Sequence, residues 1–182
     1  MKLTRVTQHH TLIIFLHWSM AITLLVMVLT GEFMEDSLNS AIFVLHTQVG
    51  LTLLLLFFVR LSTSLITHRT HNVSLFSKVE ERIANVTKFG LYAVMFLIPF
   101  TGWLMTNFEL RIQPTSYLEV FDWPVIPSVV SNHEQFEILE EIHEFGVNML
   151  FLLTGLHVIG YIKHLVWNKV DLLHAIRFKN SA

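Results

Sequence analysis

The sequence predicts an all-α integral membrane protein, a four-helix bundle with both termini in the cytoplasm. Three observations predict it. Hydrophobic residues make up 53% of the 182 and charged residues only 14%, against roughly a quarter charged in an average soluble domain. Four apolar stretches each reach the length of about 20 residues that a helix needs to cross the hydrocarbon core. The basic residues lie almost entirely on one side of those stretches.

The first stretch runs from about Leu12 to Met34 and the second from about Ile42 to Ile66. The third runs from about Val86 to Asn107 and the fourth from about Ile142 to Trp167. Backbone polar groups in lipid must be satisfied within the segment, so each stretch is read as a helix. The first has a basic start like a signal peptide. Its apolar run is longer than an h-region, holds His17-Trp18 and has no small-residue cleavage site before Glu32, so it is expected to stay as an uncleaved helix. Pro99 and Gly102 in the third helix are read as a kink or as plain packing. The long connection 108–141 holds Pro114, Pro124 and Pro127 and is expected to form an irregular cap. Together these make one transmembrane domain, residues 1–182.

Lys2 and Arg5 precede the first helix. Arg60, Arg69, Lys78, Arg82 and Lys88 flank the second connection, and Lys163, Lys169, Arg177 and Lys179 follow on the tail. The first connection carries Glu32, Glu35 and Asp36 with no base, and the third carries seven acids against Arg111 alone. Eleven of the 12 basic residues therefore share one side, which the positive-inside rule places in the cytoplasm. The first and third connections face the periplasm, and the expected location is the bacterial inner membrane, as a multi-pass protein in contact with lipid. No nucleic-acid partner is expected. The chain has no cysteine, which excludes disulfides, iron–sulfur ligation and covalent haem attachment through Cys-x-x-Cys-His.

Four of the 11 histidines fall inside the spans: His17, His46, His143 and His157. An ionisable side chain in the bilayer marks a functional site by default. Helix direction sets depth. His17 and His157 lie near the cytoplasmic face, and His46 and His143 near the periplasmic face. His143 and His157 are 14 residues apart on one helix, close to four turns, so they share a face at a separation of roughly 21 Å. One helix thus supplies one ligand to each of two stacked sites, paired as His17 with His157 and His46 with His143.

A structural or catalytic zinc asks for three or four protein ligands, which neither pair supplies. Haem iron needs only two axial ligands, because the porphyrin supplies four nitrogens. Two haems per chain are therefore expected, each with both axial positions filled and suited to electron transfer. Gly50, Gly146, Gly155 and Gly160 sit near the ligands in sequence and are read as making room for a large ring. Arg60 has two readings: a partner for a haem propionate, or a topology determinant with a snorkelling side chain. His164 also has two, a helper to a quinone or propionate and a snorkelling interfacial histidine.

His17-Trp18 in the first helix, His46-x-x-x-Gly50 and Arg60 in the second, and Tyr92 with Pro99-x-x-Gly102 in the third lead to His143-Glu144 and Gly155-Leu156-His157 in the fourth. Together they resemble the bacterial cytochrome b561 family over roughly His10 to Trp167. The resemblance implies a di-haem b membrane protein that exchanges electrons with the quinone pool, with His17, His46, His143 and His157 as axial ligands and ubiquinone as substrate. One route it implies is superoxide oxidation at the periplasmic face coupled to ubiquinone reduction. The acidic third connection sits badly with an anionic substrate, which a cationic rim would steer in. It suits a cationic periplasmic redox partner, while a basic pocket at Arg111 or His133 would favour superoxide. A competing reading is a haem b anchor subunit of a larger dehydrogenase or hydrogenase. A haem-free transporter is the third.

Overall fold

The computed structural model describes residues 4–6, 9–34, 41–67, 76–106, 116–125 and 132–178. Four long helices carry the chain: α1 (Thr11–Glu32), α2 (Ala41–Ile66), α3 (Lys78–Met105) and α4 (His133–Val166). All four are long and apolar enough to cross a membrane. The bundle's outer surface is correspondingly apolar, with Phe15, Ile22, Leu25, Phe89, Phe145 and Ile159 all exposed. In water such a surface would be unstable; against lipid tails it meets its own kind, and the multi-pass protein is solvated by the bilayer.

Two helices start earlier than the apolar stretches that announce them. α3 begins about two turns before Val86, at a capping box in which Ser77 Oγ accepts from the Glu80 amide at 3.3 Å and Glu80 Oε2 accepts from the Ser77 amide at 2.8 Å. α4 begins about two turns before Ile142, where Asn132 Oδ1 accepts from the Gln135 amide at 2.8 Å. These turns are polar and stand outside the apolar stretch, so hydropathy does not register them; side-chain caps do. Pro99 is buried within an uninterrupted α3. Hydroxyls inside the spans bond back to their own helices: Thr23 to the Ser19 carbonyl, Thr47 to Phe43 and Thr52 to Gln48. That removes the cost of a bare polar group in hydrocarbon.

α1 packs along α2, α2 meets α3, and α3 packs along α4. Small residues set how closely the helices approach. A Cβ on Gly50 would lie 3.3 Å from Met27 Cε, one on Gly90 3.0 Å from Leu153 Cδ1, and one on Gly146 2.8 Å from Ile98 Cγ1. Met20, Met27, Leu53 and Phe57 fill the centre, flanked by Tyr92 and Phe96. Val94, Ile98 and Leu150 fill the α3–α4 seam. α4 has no comparable packing against α1 or α2, so it is held to the bundle by α3.

Short elements close the two ends. At one end β1 (Thr4–Arg5) pairs in parallel with β4 (Val170–Asp171). The Trp18 indole donates to the Ile176 carbonyl at 2.9 Å, so both chain ends gather over the start of α1. At the other end, β2 (Ser116–Tyr117) and β3 (Phe121–Asp122) form an antiparallel hairpin. Its turn places Leu118 (φ 50) and Glu119 (φ 59) in the left-handed region. Part of the expected irregular cap is therefore regular. Its aromatic side chains explain this: Tyr117, Phe121, Trp123 and Trp103 form a ring cluster with centroids 5.3 to 6.0 Å apart.

Candidate cofactor-binding site

The four intramembrane histidines lie on three helices: His17 on α1, His46 on α2, and His143 and His157 on α4. Each α4 histidine has one of the others within electrostatic reach. His157 is within electrostatic range of His17, and His143 is within range of His46. Each pair joins α4 to a helix against which it does not pack extensively. The seams between α4 and α1 and between α4 and α2 are thus the regions where these histidines come within electrostatic reach of one another. Among the described residues no three or more His, Asp or Glu gather as a metal site. A plate-shaped group that brings its own equatorial nitrogens and asks the protein for two axial ligands fits this donor set and this open seam.

The pair near the hairpin end is the more elaborately held. His46 Nδ1 lies 3.0 Å from Thr30 Oγ1 on α1, and His143 Nδ1 lies 3.1 Å from Thr101 Oγ1 on α3. The glycine after each threonine completes the contact. A Cβ on Gly31 would sit 3.3 Å from His46 Cε1, and one on Gly102 would sit 3.2 Å from His143 Cε1. Each ring therefore lies against helix backbone where a side chain would crowd it.

These contacts redistribute the roles expected of the glycines. Gly50 and Gly146, read from sequence as room for a ring, pack against Met27 and Ile98 instead. Gly155 and Gly160 face open space within this chain. The glycines that lie against His46 and His143 are Gly31, not singled out from sequence, and Gly102, assigned there to a kink or packing. The available signal was weak: Thr-Gly occurs as Thr30-Gly31 near the end of α1, as Thr101-Gly102 near the end of α3, and again as Thr154-Gly155 within α4, where the glycine meets no side chain.

Near the other pair, Arg60 Nη1 donates to the Ile13 carbonyl at 2.6 Å, and its charge is within range of His17. Arg60 is a half-buried clasp between α2 and α1, not a snorkelling group. His164 is not a snorkelling group either. It is buried, its ring centroid is 4.4 Å from that of Phe76, and its Nδ1 has no hydrogen-bond partner among the described residues. At the hairpin end His133 pairs with Glu137 at 3.2 Å, and Arg111 lies outside the described residues.

A multi-pass helical bundle that presents histidines from three of its helices toward the seams around the fourth-helix face is the architecture of a membrane cytochrome. The chain belongs to the prokaryotic cytochrome b561 family, whose model matches residues 8–179. That match covers all four helices and both histidine pairs. No curated protein matches the chain. Membership makes this a membrane electron-transfer protein that binds haem b.

Proposed function

We propose that the chain holds two haem b groups, one between His17 and His157 and one between His46 and His143. On this reading it carries electrons between the quinone pool and a periplasmic donor or acceptor. The observation that carries the proposal is that α4 offers both its histidines across seams where it lacks close helix packing, each toward a histidine on a different helix. Haem b supplies a one-electron iron couple when bound. The protein's own task is ligation, burial and orientation.

The excess of basic residues at the end that gathers both termini supports a cytoplasmic location for that end, in an inner membrane. His46 and His143 then serve the periplasmic half, and His17 and His157 the cytoplasmic half. Arg60 stands near His17, where its remaining donors are available to an anionic haem propionate or to a quinone oxygen. The periplasmic rim includes Glu119, Asp122, Glu134, Glu137, Glu140 and Glu141, all exposed. Such a rim attracts a cationic redox protein and opposes an anion such as superoxide.

The test is composition and spectrum. Purified protein carries two low-spin haems per chain. His17→Ala and His157→Ala each remove one spectral component, and His46→Ala and His143→Ala each remove the other. A quinol analogue reduces both haems of the parent protein. One haem per chain, a five-coordinate spectrum, or loss of the same component from His17→Ala and His143→Ala overturns the pairing.

A further inference from the structure

The two threonines beside the hairpin-end histidines stand in matching surroundings. Thr30 Oγ1 lies 2.8 Å from the Val26 carbonyl and 3.2 Å from that of Met27. Thr101 Oγ1 lies 2.9 Å from the Leu97 carbonyl and 2.9 Å from that of Ile98. A hydroxyl has one proton, and a backbone carbonyl can only accept. Each hydroxyl proton is therefore committed to its own helix, three or four residues back. What each threonine offers the neighbouring imidazole is a lone pair. The 3.0 and 3.1 Å contacts are then bonds in which His46 Nδ1–H and His143 Nδ1–H donate and threonine oxygen accepts. With the proton fixed on Nδ1, the Nε2 lone pair of each histidine is left free.

Among the described residues, no hydroxyl makes the same bond to His17 or His157. The two pairs are thus held differently. The hairpin-end rings are fixed in tautomer from two neighbouring helices, and the glycine after each threonine lets the Cε1 edge of the ring approach the backbone. The other pair has a cation, Arg60, near one of its members.

We propose that the Thr30-Gly31 and Thr101-Gly102 dyads are matched positioning elements that act on the haem of the hairpin end alone. They hold His46 and His143 as Nε2 ligands and lower that haem's reduction potential. The proposal rests on the assignment of these histidines as axial ligands. An acceptor on Nδ1–H lends the imidazole basicity, and a more basic ligand favours the ferric over the ferrous iron. Symmetric acceptors on both axial ligands add in the same direction.

The experiment is a potentiometric titration of the purified two-haem protein, followed by absorbance, on the parent and on Thr30→Val, Thr101→Val, Thr30→Ser and Thr101→Ser. The hairpin-end haem is identified as the component that His46→Ala removes. Valine keeps the volume and removes the acceptor. Each valine variant moves the midpoint of that component upward and leaves the other unmoved. Each also weakens retention of that haem by roughly tenfold, the low end for a lost partner of a metal ligand. The serine variants return the midpoint to the parent value, which a merely structural packing role does not predict. A valine variant that keeps both haems with both midpoints unchanged overturns the proposal, as does a shift of equal size in both components. A parent protein with fewer than two haems overturns the ligand assignment instead.

Discussion

Gln48 grips the turn of the hairpin at Leu118: the Leu118 amide donates to Gln48 Oε1 at 3.0 Å, and Gln48 Nε2 donates to the Ser116 carbonyl at 2.7 Å. One side-chain amide thus bonds the hairpin as a neighbouring strand would. It does so from α2, two residues past His46, and Thr52 adds a 2.8 Å bond to the Tyr117 hydroxyl one turn on. The left-handed Leu118 and Glu119 cost on the order of 1 kcal/mol each, and these contacts hold them in place. Gln48→Leu removes both bonds at about 1 kcal/mol apiece. Amide exchange across 116–122 in detergent-solubilised protein rises on the order of tenfold, while exchange in α2 and α3 is unchanged. Equal protection in parent and variant would mean the aromatic cluster alone fixes the hairpin.

Packing glycines give a sharper contrast. Gly146→Ala brings a Cβ to 2.8 Å from Ile98 Cγ1, an arm of a β-branched side chain whose χ1 is held to one strongly preferred rotamer in a helix. Overpacking of this kind costs about 1–3 kcal/mol. Gly155→Ala meets nothing within 4 Å and gains helix propensity worth up to about 1 kcal/mol. Thermal unfolding in one detergent should place Gly146→Ala below the parent and Gly155→Ala at or above it. The reverse order would contradict the α3–α4 seam.

Arg60 gives a prediction about potential. A cation near His17 disfavours the more positive, oxidised iron, and in a low-dielectric bundle that effect is weakly screened. Arg60→Leu therefore lowers the midpoint of the haem lost in His17→Ala and leaves the other in place. It also removes the clasp on the Ile13 carbonyl. Arg60→Lys keeps the charge but not the fork of donors, so it retains more of the potential than of the stability. Identical midpoints in parent and Arg60→Leu would remove Arg60 from the site.

At the end of the bundle away from the hairpin, α3 and α4 are tied by Lys163 and Glu80, an ion pair to which the Asn168 amide adds a 3.4 Å contact. Glu80 lies in the polar first turn of α3, outside the apolar stretch. The Lys163 ammonium, followed by the Ser77 amide and hydroxyl, lowers its carboxyl from the ordinary 4.5 to about 2. A carboxyl lowered by folding contributes stability that is present above its unfolded value and is lost as pH falls through the folded one. The tie is therefore constant above about pH 5 and weakens from 4.5 toward 2. Glu80→Gln flattens that part of the pH dependence of thermal unfolding. An unchanged slope in Glu80→Gln would assign the acid sensitivity elsewhere.

The sequence by itself determined four spans, their order and the depth of each histidine. These follow from quantities carried along one strand of chain: apolar length, the positions of charges, and the helical repeat that sets His143 and His157 on one face of α4. The proposed pairing of His17 with His157 and of His46 with His143 draws on the same quantities, since depth in a bilayer is a one-dimensional coordinate. What only the tertiary structure decided is azimuth, the direction in which each helix turns toward its neighbours. Thr30 meets His46 and Thr101 meets His143 because adjacent helices rotate those faces together, and no spacing within one helix encodes that rotation. The same holds for Gly50 and Gly146, which turn to Met27 and Ile98 and not to a ring. It holds for Arg60, which reaches the Ile13 carbonyl across the α1–α2 contact, and for Gln48, whose partners lie in a distant turn. Local physics fixes where a residue sits along the membrane normal; only packing among helices fixes what its side chain touches.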